Sequence, residues 1–289
     1  MPFKAIAIVF MLISSQTAHA GALERLFAPA ADLWPFWDNA GSLVTPTINH
    51  TNWDRFLQAH VQQHADGINR VAYATIDTNA HQSLQDYINQ LQQISIRQYS
   101  RNEQLIYWIN LYNAVTIDVV LQHYPVESIR QINISPGFFA EGPWGKKLMT
   151  IEGQAVSLND IEHRILRPIW KDPRLHYVLN CASIGCPNLS NRAYTVNNID
   201  RALDEAASDY INHRRGVTTN ADELIVSSIY SWFQEDFGSD DAAVIAHLQK
   251  YAAPQLAKKL QRFNTISDDE YNWQLNDALP IKHDNKEDF

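Results

Sequence analysis

Ser100-Arg-Asn-Glu103 is a capping box, a serine that can accept from a free backbone N–H at a helix start with a glutamate three residues on. No glycine or proline follows until Pro125. The spacing of Leu105, Trp108, Ile109, Tyr112, Val119 and Val120 therefore predicts one long amphipathic helix from Arg101 to about His123, its apolar side facing a core. A helix of this length commits the chain to a domain in which helices dominate.

The same periodicity predicts helices over Thr51 to Gln62 (Phe56, Leu57, Ala59, Val61), Gln82 to Ile96 (Leu84, Tyr87, Ile88, Leu91) and Asn197 to Ile211 (Ile199, Leu203, Ala206, Tyr210). A second box, Ser157-Leu-Asn-Asp160, opens a helix over Leu158 to Ile169. Glycines and prolines between Pro125 and Ile151 indicate a loop and a short hairpin around Trp144, and Trp34-Pro35-Phe36-Trp37 should pack on the domain. The strand candidates are Leu175 to Asn180 and Glu223 to Ile229. The expected class is α+β, a mostly helical single domain with a small β-sheet and a cysteine-containing loop at a strand end. Residues 21–80 form a lead-in with the first helix, 81–276 the main domain and 277–289 a tail.

Hydrophobic residues make up 45% of the chain, enough for a sizeable core. A net charge of −9 without any Lys/Arg block argues against nucleic acid and against an anionic membrane surface. No stretch approaches the roughly 20 apolar residues of a membrane span. At the N-terminus, Lys4, the apolar run Ala5 to Ile13 and the triplet Ala18-His19-Ala20 have the layout of a cleavable secretory signal, 1–20. The expected location is periplasmic or secreted. There is no H-E-x-x-H, phosphate-binding glycine loop or G-x-S-x-G, and His123, His176 and His213 lack ligand spacing, so neither metal nor cofactor is expected.

Three places break the rules of ordinary packing. The segment His176-Tyr-Val-Leu-Asn-Cys-Ala-Ser-Ile-Gly-Cys-Pro-Asn188 holds both cysteines of the chain. Pro187 suits a first helical turn, which makes Cys186 a candidate N-cap whose thiolate the helix dipole would stabilise. In an oxidising compartment, Cys181 and Cys186 could instead pair as a disulfide, and both readings stay open. In the helix from Leu158, Glu162 falls inside the apolar stripe of Leu158, Ile161, Ile165 and Ile169, and needs an arginine such as Arg167, a histidine, backbone donors or a raised pKa. With His163 beside it, this is either an acid/base cluster or a structural ion pair. On the long helix, Asn110 and Asn113 sit among aromatics, where each amide must pin a loop, orient an imidazole or hold an oxyanion.

Trp108-Ile-Asn-Leu-Tyr-Asn-Ala114, Ile161-Glu-His-Arg-Ile-Leu-Arg167, the cysteine segment and Trp232-Phe-Gln-Glu-Asp-Phe-Gly238 resemble the recurring motifs of the family called domain of unknown function 547. The resemblance covers roughly residues 85 to 250, and Tyr271-Asn-Trp-Gln-Leu-Asn276 resembles a short segment near the end of such chains. It implies that Asn110, Asn113, Glu162, His163, Arg167, Asn180, Cys181, Cys186 and Pro187 occupy recurrent positions. Asn188 stands where many relatives have a second proline.

Two functions of different class fit these residues. One is an exported thiol-dependent hydrolase or acyltransferase acting on a peptide-like small molecule. Cys186 would be its nucleophile, His163 or His176 its base, and Glu162 or Asn110 the orienting group. Arg167, Asn113, Asn180 and Trp144 would bind the substrate. A histidine nitrogen should then lie within about 4 Å of the Cys186 sulfur. The other is a non-catalytic envelope module, stapled by a Cys181–Cys186 disulfide, whose aromatic surface around Trp144 and Trp232 binds a partner protein or glycan. A redox role for the cysteine pair ranks third.

Overall fold

The computed structural model describes residues 28–42, 47–137 and 141–279; the expected signal segment lies outside them. The chain is a mostly helical α+β protein, with three small sheets among the described residues. Its helices include α1 (Thr51–His60), α2 (Thr78–Gln92) and α3 (Arg101–His123), with α2 packed along α3.

Helix α3 begins and ends at the expected residues because its start is encoded locally: Ser100 Oγ accepts from the Glu103 N–H. Glu103 does not complete the box, since its carboxylate takes the Ile48 N–H instead. The helix is also not amphipathic. Every residue from Glu103 to Ile117 is buried, because α2 covers one side and the helix from residue 158 the other. Polar residues inside it are satisfied one by one; Gln104 Nε2 reaches the carbonyls of Asn39, Ile96 and Tyr99. The lead-in docks as expected, with Trp37 2% exposed and edge-on to Trp108.

The second box closes as a reciprocal pair, Ser157 N–H to Asp160 Oδ2 at 2.8 Å and Asp160 N–H to Ser157 Oγ at 3.1 Å. The helix it opens, α4 (residues 158–170), winds as a π-helix over Asp160–Leu166, and the Arg167 N–H donates to the Glu162 carbonyl. Carbonyls of this wide turn also accept from outside: His163 O from the Asp32 N–H and Arg164 O from the Trp34 N–H. The lead-in is thereby bonded to α4.

The β-structure differs from expectation in three places. Leu175 to Asn180 is no strand; Pro173–Tyr177 is a 3-10 helix capped by Asp172, which accepts from the Arg174 N–H. A short apolar run cannot by itself distinguish a strand from a buried turn of helix. The hairpin falls after Trp144, pairing β3 (Met149–Ile151) with β4 (Gln154–Val156). Glu223 to Ile229 yields only β6 (Leu224–Ser227), paired antiparallel to β5 (Val217–Thr219) and parallel to β7 (Asp268–Glu270). A further hairpin joins β1 (Val61–Gln63) and β2 (Asn69–Val71). Helix α5 (Ile199–Asn212) and the segments after it bury a second apolar cluster around Tyr177, Tyr210, Tyr230 and Leu248.

What positions the site is the segment after β7. Leu275 N–H donates to Glu127 O, Asn276 N–H to Ala182 O and Ala278 N–H to Val71 O. Residues 271–278 are thus laced across the cysteine loop.

Candidate functional site

The cysteine loop is held from three sides. From α3, Asn113 donates to Val178 O and accepts from the Asn180 N–H, each at 2.8 Å. Asn180 then accepts from the Ala182 N–H and donates to Pro187 O. Ala182 has φ +58°, which turns the chain back on itself. On the far side, Gly185 N–H donates to Asn272 O at 2.8 Å. A Cβ on Gly185 would lie 2.7 Å from Asn272 N, so the strap can approach only because this residue is glycine. The Tyr210 hydroxyl bonds Gly185 O at 2.7 Å.

Both cysteines are free thiols, and they are unlike. Cys186 is 3% exposed; its sulfur accepts from the Cys181 N–H at 3.0 Å and faces Leu179 O at 3.6 Å. No helix follows it, so Cys186 is not an N-cap. Burial, reinforced by the Cys181 sulfur, pushes its pKa well above the ordinary thiol range. Cys181 is partly exposed, with its sulfur 3.0 Å from the Tyr271 hydroxyl and 3.3 Å from Ser183 Oγ. Ser183 Oγ also lies 3.0 Å from the Tyr271 oxygen. A hydrogen bond from the Cys186 thiol, joined by those of Ser183 and Tyr271, holds the Cys181 thiol below its usual range despite burial and the opposing charge of Glu162. Burial keeps Tyr271 itself protonated.

The second half of the site is an ionic cluster on α4 and the helix after β6. Asp236 Oδ2 receives His176 Nε2 at 2.6 Å and Arg167 Nε at 2.5 Å. Burial favours the neutral acid, but these two hydrogen bonds prevail and hold Asp236 down to about 2. Arg167 Nη1 also donates to His163 Nδ1 and Pro29 O. Phe233 lies between these two side chains, stacked on the His176 ring at 4.5 Å and under the Arg167 guanidinium at 4.6 Å. Burial pushes His163 down to about 4. Glu162 accepts from the Tyr112 hydroxyl at 2.9 Å, with His176 Nδ1 at 3.8 Å.

Several expectations are corrected by this geometry. Glu162 does not pair with Arg167; Arg167 lies four residues on from His163 and five from Glu162, and its guanidinium bonds His163 and Asp236 while Glu162 takes the Tyr112 hydroxyl. No histidine hydrogen-bonds either sulfur among the described residues, so the Cys186–His163 or Cys186–His176 dyad does not form. Asn110 pins another loop, donating to Tyr194 O at 2.9 Å and accepting from the Tyr194 N–H at 3.1 Å. Arg167, Asn113 and Asn180 spend their polar groups on the framework. Sequence reasoning missed Tyr271, Ser183, Tyr112 and Asp236 as site residues, although all four lie in the segments quoted above; Tyr112 reads in the sequence only as a core residue.

Trp144 belongs to an aromatic wall that ends on the sulfur. It stands edge-on to Trp273 at 5.8 Å, Trp273 lies 5.6 Å from Trp232 and 4.7 Å from Tyr271, and Tyr271 touches Cys181. Among the described residues no group of three or more His, Cys, Asp or Glu could hold a metal ion, and no helix is long and apolar enough to cross a membrane.

Residues 96–211 match the family described as "Protein of unknown function, DUF547", whereas no curated protein and no solved structure matches the chain. The match contains α3, α4, the cysteine loop and α5; Asp236 and the aromatic strap lie beyond it. The segment 96–211 thus belongs to the DUF547 family, as its motifs implied.

Proposed function

We propose that this chain is an exported thiol-dependent hydrolase or acyltransferase acting on peptide-like substrates, with Cys181 as its nucleophile in place of Cys186. The observation that carries this reading is the environment of Cys181, a partly exposed residue whose sulfur has Tyr271 and Ser183 within hydrogen-bond reach. A thiolate stabilised in this way needs no adjacent imidazole to attack an acyl carbon. Tyr271, kept protonated by burial, supplies a proton to the leaving group. Glu162, whose charge the sulfur senses, is the base for the water or acceptor that releases the acyl group. The Trp144–Trp273–Trp232 wall gives an acyl or peptide chain an apolar surface beside the sulfur.

The test is acylation by a peptide thioester, read by intact mass. Wild type and Cys186→Ala should both carry an acyl group on Cys181, and Cys181→Ser should carry none. Equal acylation of Cys181→Ser would remove the reading. N-terminal sequencing of the exported protein, expected to begin at Gly21, tests the location. A second reading, binding of a protein or glycan without chemistry, is favoured by the continuity of the wall alone. It predicts binding lost in Trp144→Ala and unchanged in Cys181→Ser.

A further inference from the structure

The two sulfurs are arranged for more than a single nucleophile needs. Cys181 is partly exposed and Cys186 is buried behind it, with its sulfur 3.0 Å from the Cys181 backbone nitrogen. Asn113, Asn180 and the 271–278 strap fix both ends of the loop between them. No acyl-transfer role requires a second, inaccessible thiol in that place. We propose that Cys181 and Cys186 form a two-thiol oxidation centre for hydroperoxides, in which Cys181 is oxidised and Cys186 resolves it.

In the first step the Cys181 thiolate attacks the terminal oxygen of a hydroperoxide. A sulfur–oxygen bond forms, the oxygen–oxygen bond breaks, and the leaving alkoxide or hydroxide takes a proton from Tyr271, which solvent restores. Cys181 is then a sulfenic acid and the peroxide an alcohol or water. In the second step the Cys186 sulfur attacks the Cys181 sulfur. The sulfur–sulfur bond forms, the sulfur–oxygen bond breaks, and hydroxide leaves with the Cys186 proton as water. Two electrons have passed from the thiol pair to the peroxide. Two molecules of an external thiol return them by exchange, leaving as their own disulfide. Holding Cys186 beside Cys181 makes the second step intramolecular, faster than a further peroxide can carry Cys181 to the sulfinic acid. Oxidation would also silence the acyl chemistry, since the same sulfur is consumed. The proposal shares with that reading a stabilised thiolate at Cys181 and needs no acyl substrate.

The experiment treats the reduced full chain with equimolar hydrogen peroxide, blocks remaining thiols by alkylation and digests with trypsin. Both cysteines fall in one peptide, residues 175–192, between Arg174 and Arg192. Wild type should give that peptide two hydrogens lighter and unalkylated. Cys186→Ala should give one added oxygen on Cys181, captured by dimedone. Cys181→Ser should keep an alkylated Cys186. Peroxide should be consumed at least about tenfold faster than by free cysteine. A wild type that stops at a dimedone-trapped sulfenic acid, as Cys186→Ala does, or that goes on to sulfinic acid, overturns the resolving role, and consumption no faster than free cysteine overturns the site. Circular dichroism of each variant excludes misfolding, and Cys186→Ser serves where the alanine variant fails to fold. A disulfide without acylation removes only the acyl-transfer reading; acylation without a disulfide removes only this one.

Discussion

Arg167 Nε lies 2.5 Å from Asp236 Oδ2 across 69 positions of sequence, and the same oxygen receives His176 Nε2 at 2.6 Å. Asp236 is thus the hub of the cluster, while Glu162 bonds Tyr112 and lies 3.8 Å from the other ring nitrogen of His176.

Removing that carboxylate should be costly. Asp236→Ala strands a buried guanidinium and is expected to cost about 3 kcal/mol or more. Glu162→Ala, which removes a partly solvated group bonded to a tyrosine, should cost nearer 1 kcal/mol. Urea unfolding of the two variants checks the order, and equal costs would contradict the assignment of Asp236 as the centre of the cluster.

Asn110 and Asn113 lie on the same helix and do different things. Each alanine variant strands two backbone groups, so each should lose about 2–4 kcal/mol. Only Asn113→Ala should free the Asn180 amide, seen as faster hydrogen exchange at Asn180 and Ala182. If Asn110→Ala loosens those amides equally, the cysteine loop is not pinned by Asn113.

The thiolate at Cys181 should respond to its neighbours in opposite senses. Tyr271→Phe removes a hydrogen bond to the anion, so the thiol pKa rises and alkylation at neutral pH slows several-fold. Glu162→Gln removes an opposing charge, so the pKa falls. The pH dependence of iodoacetamide labelling in a Cys186→Ala background reads both directly. Shifts of the same sign would rule out this electrostatic account.

Acid should destabilise the fold well before the carboxylates titrate. Burial lowers His50, His163 and His247 to about 4. Their unfolded imidazoles bind protons near pH 6.5, so between those values the unfolded state holds more protons than the folded one. This contribution is complete above about pH 6.5 and is lost as pH falls toward 4, with up to about 3 kcal/mol each at stake for His50 and His163. Unfolding free energies at pH 7, 6 and 5 should fall steadily, and His50→Gln should flatten the slope. A pH-independent stability over that range would contradict it.

Sequence alone determined whatever is closed within a turn or two of chain. The Ser100 cap and helix α3 follow from contiguous residues, as do the Ser157–Asp160 pair and the packing stripe of α5, because the hydrogen bonds that start a helix join groups three residues apart. It also marked Asn113, Glu162 and the cysteine loop as places where packing alone does not explain the residue. Their partners were decided only by tertiary structure. Tyr271 reaches Cys181 across 90 positions and Asp236 reaches Arg167 across 69, by way of strands and loops whose closure no local pattern encodes. Packing settled that Arg167 meets Asp236 while Glu162 turns to Tyr112. The surroundings likewise set the two thiols apart, hydrogen bonds lowering the pKa of Cys181 and burial raising that of Cys186.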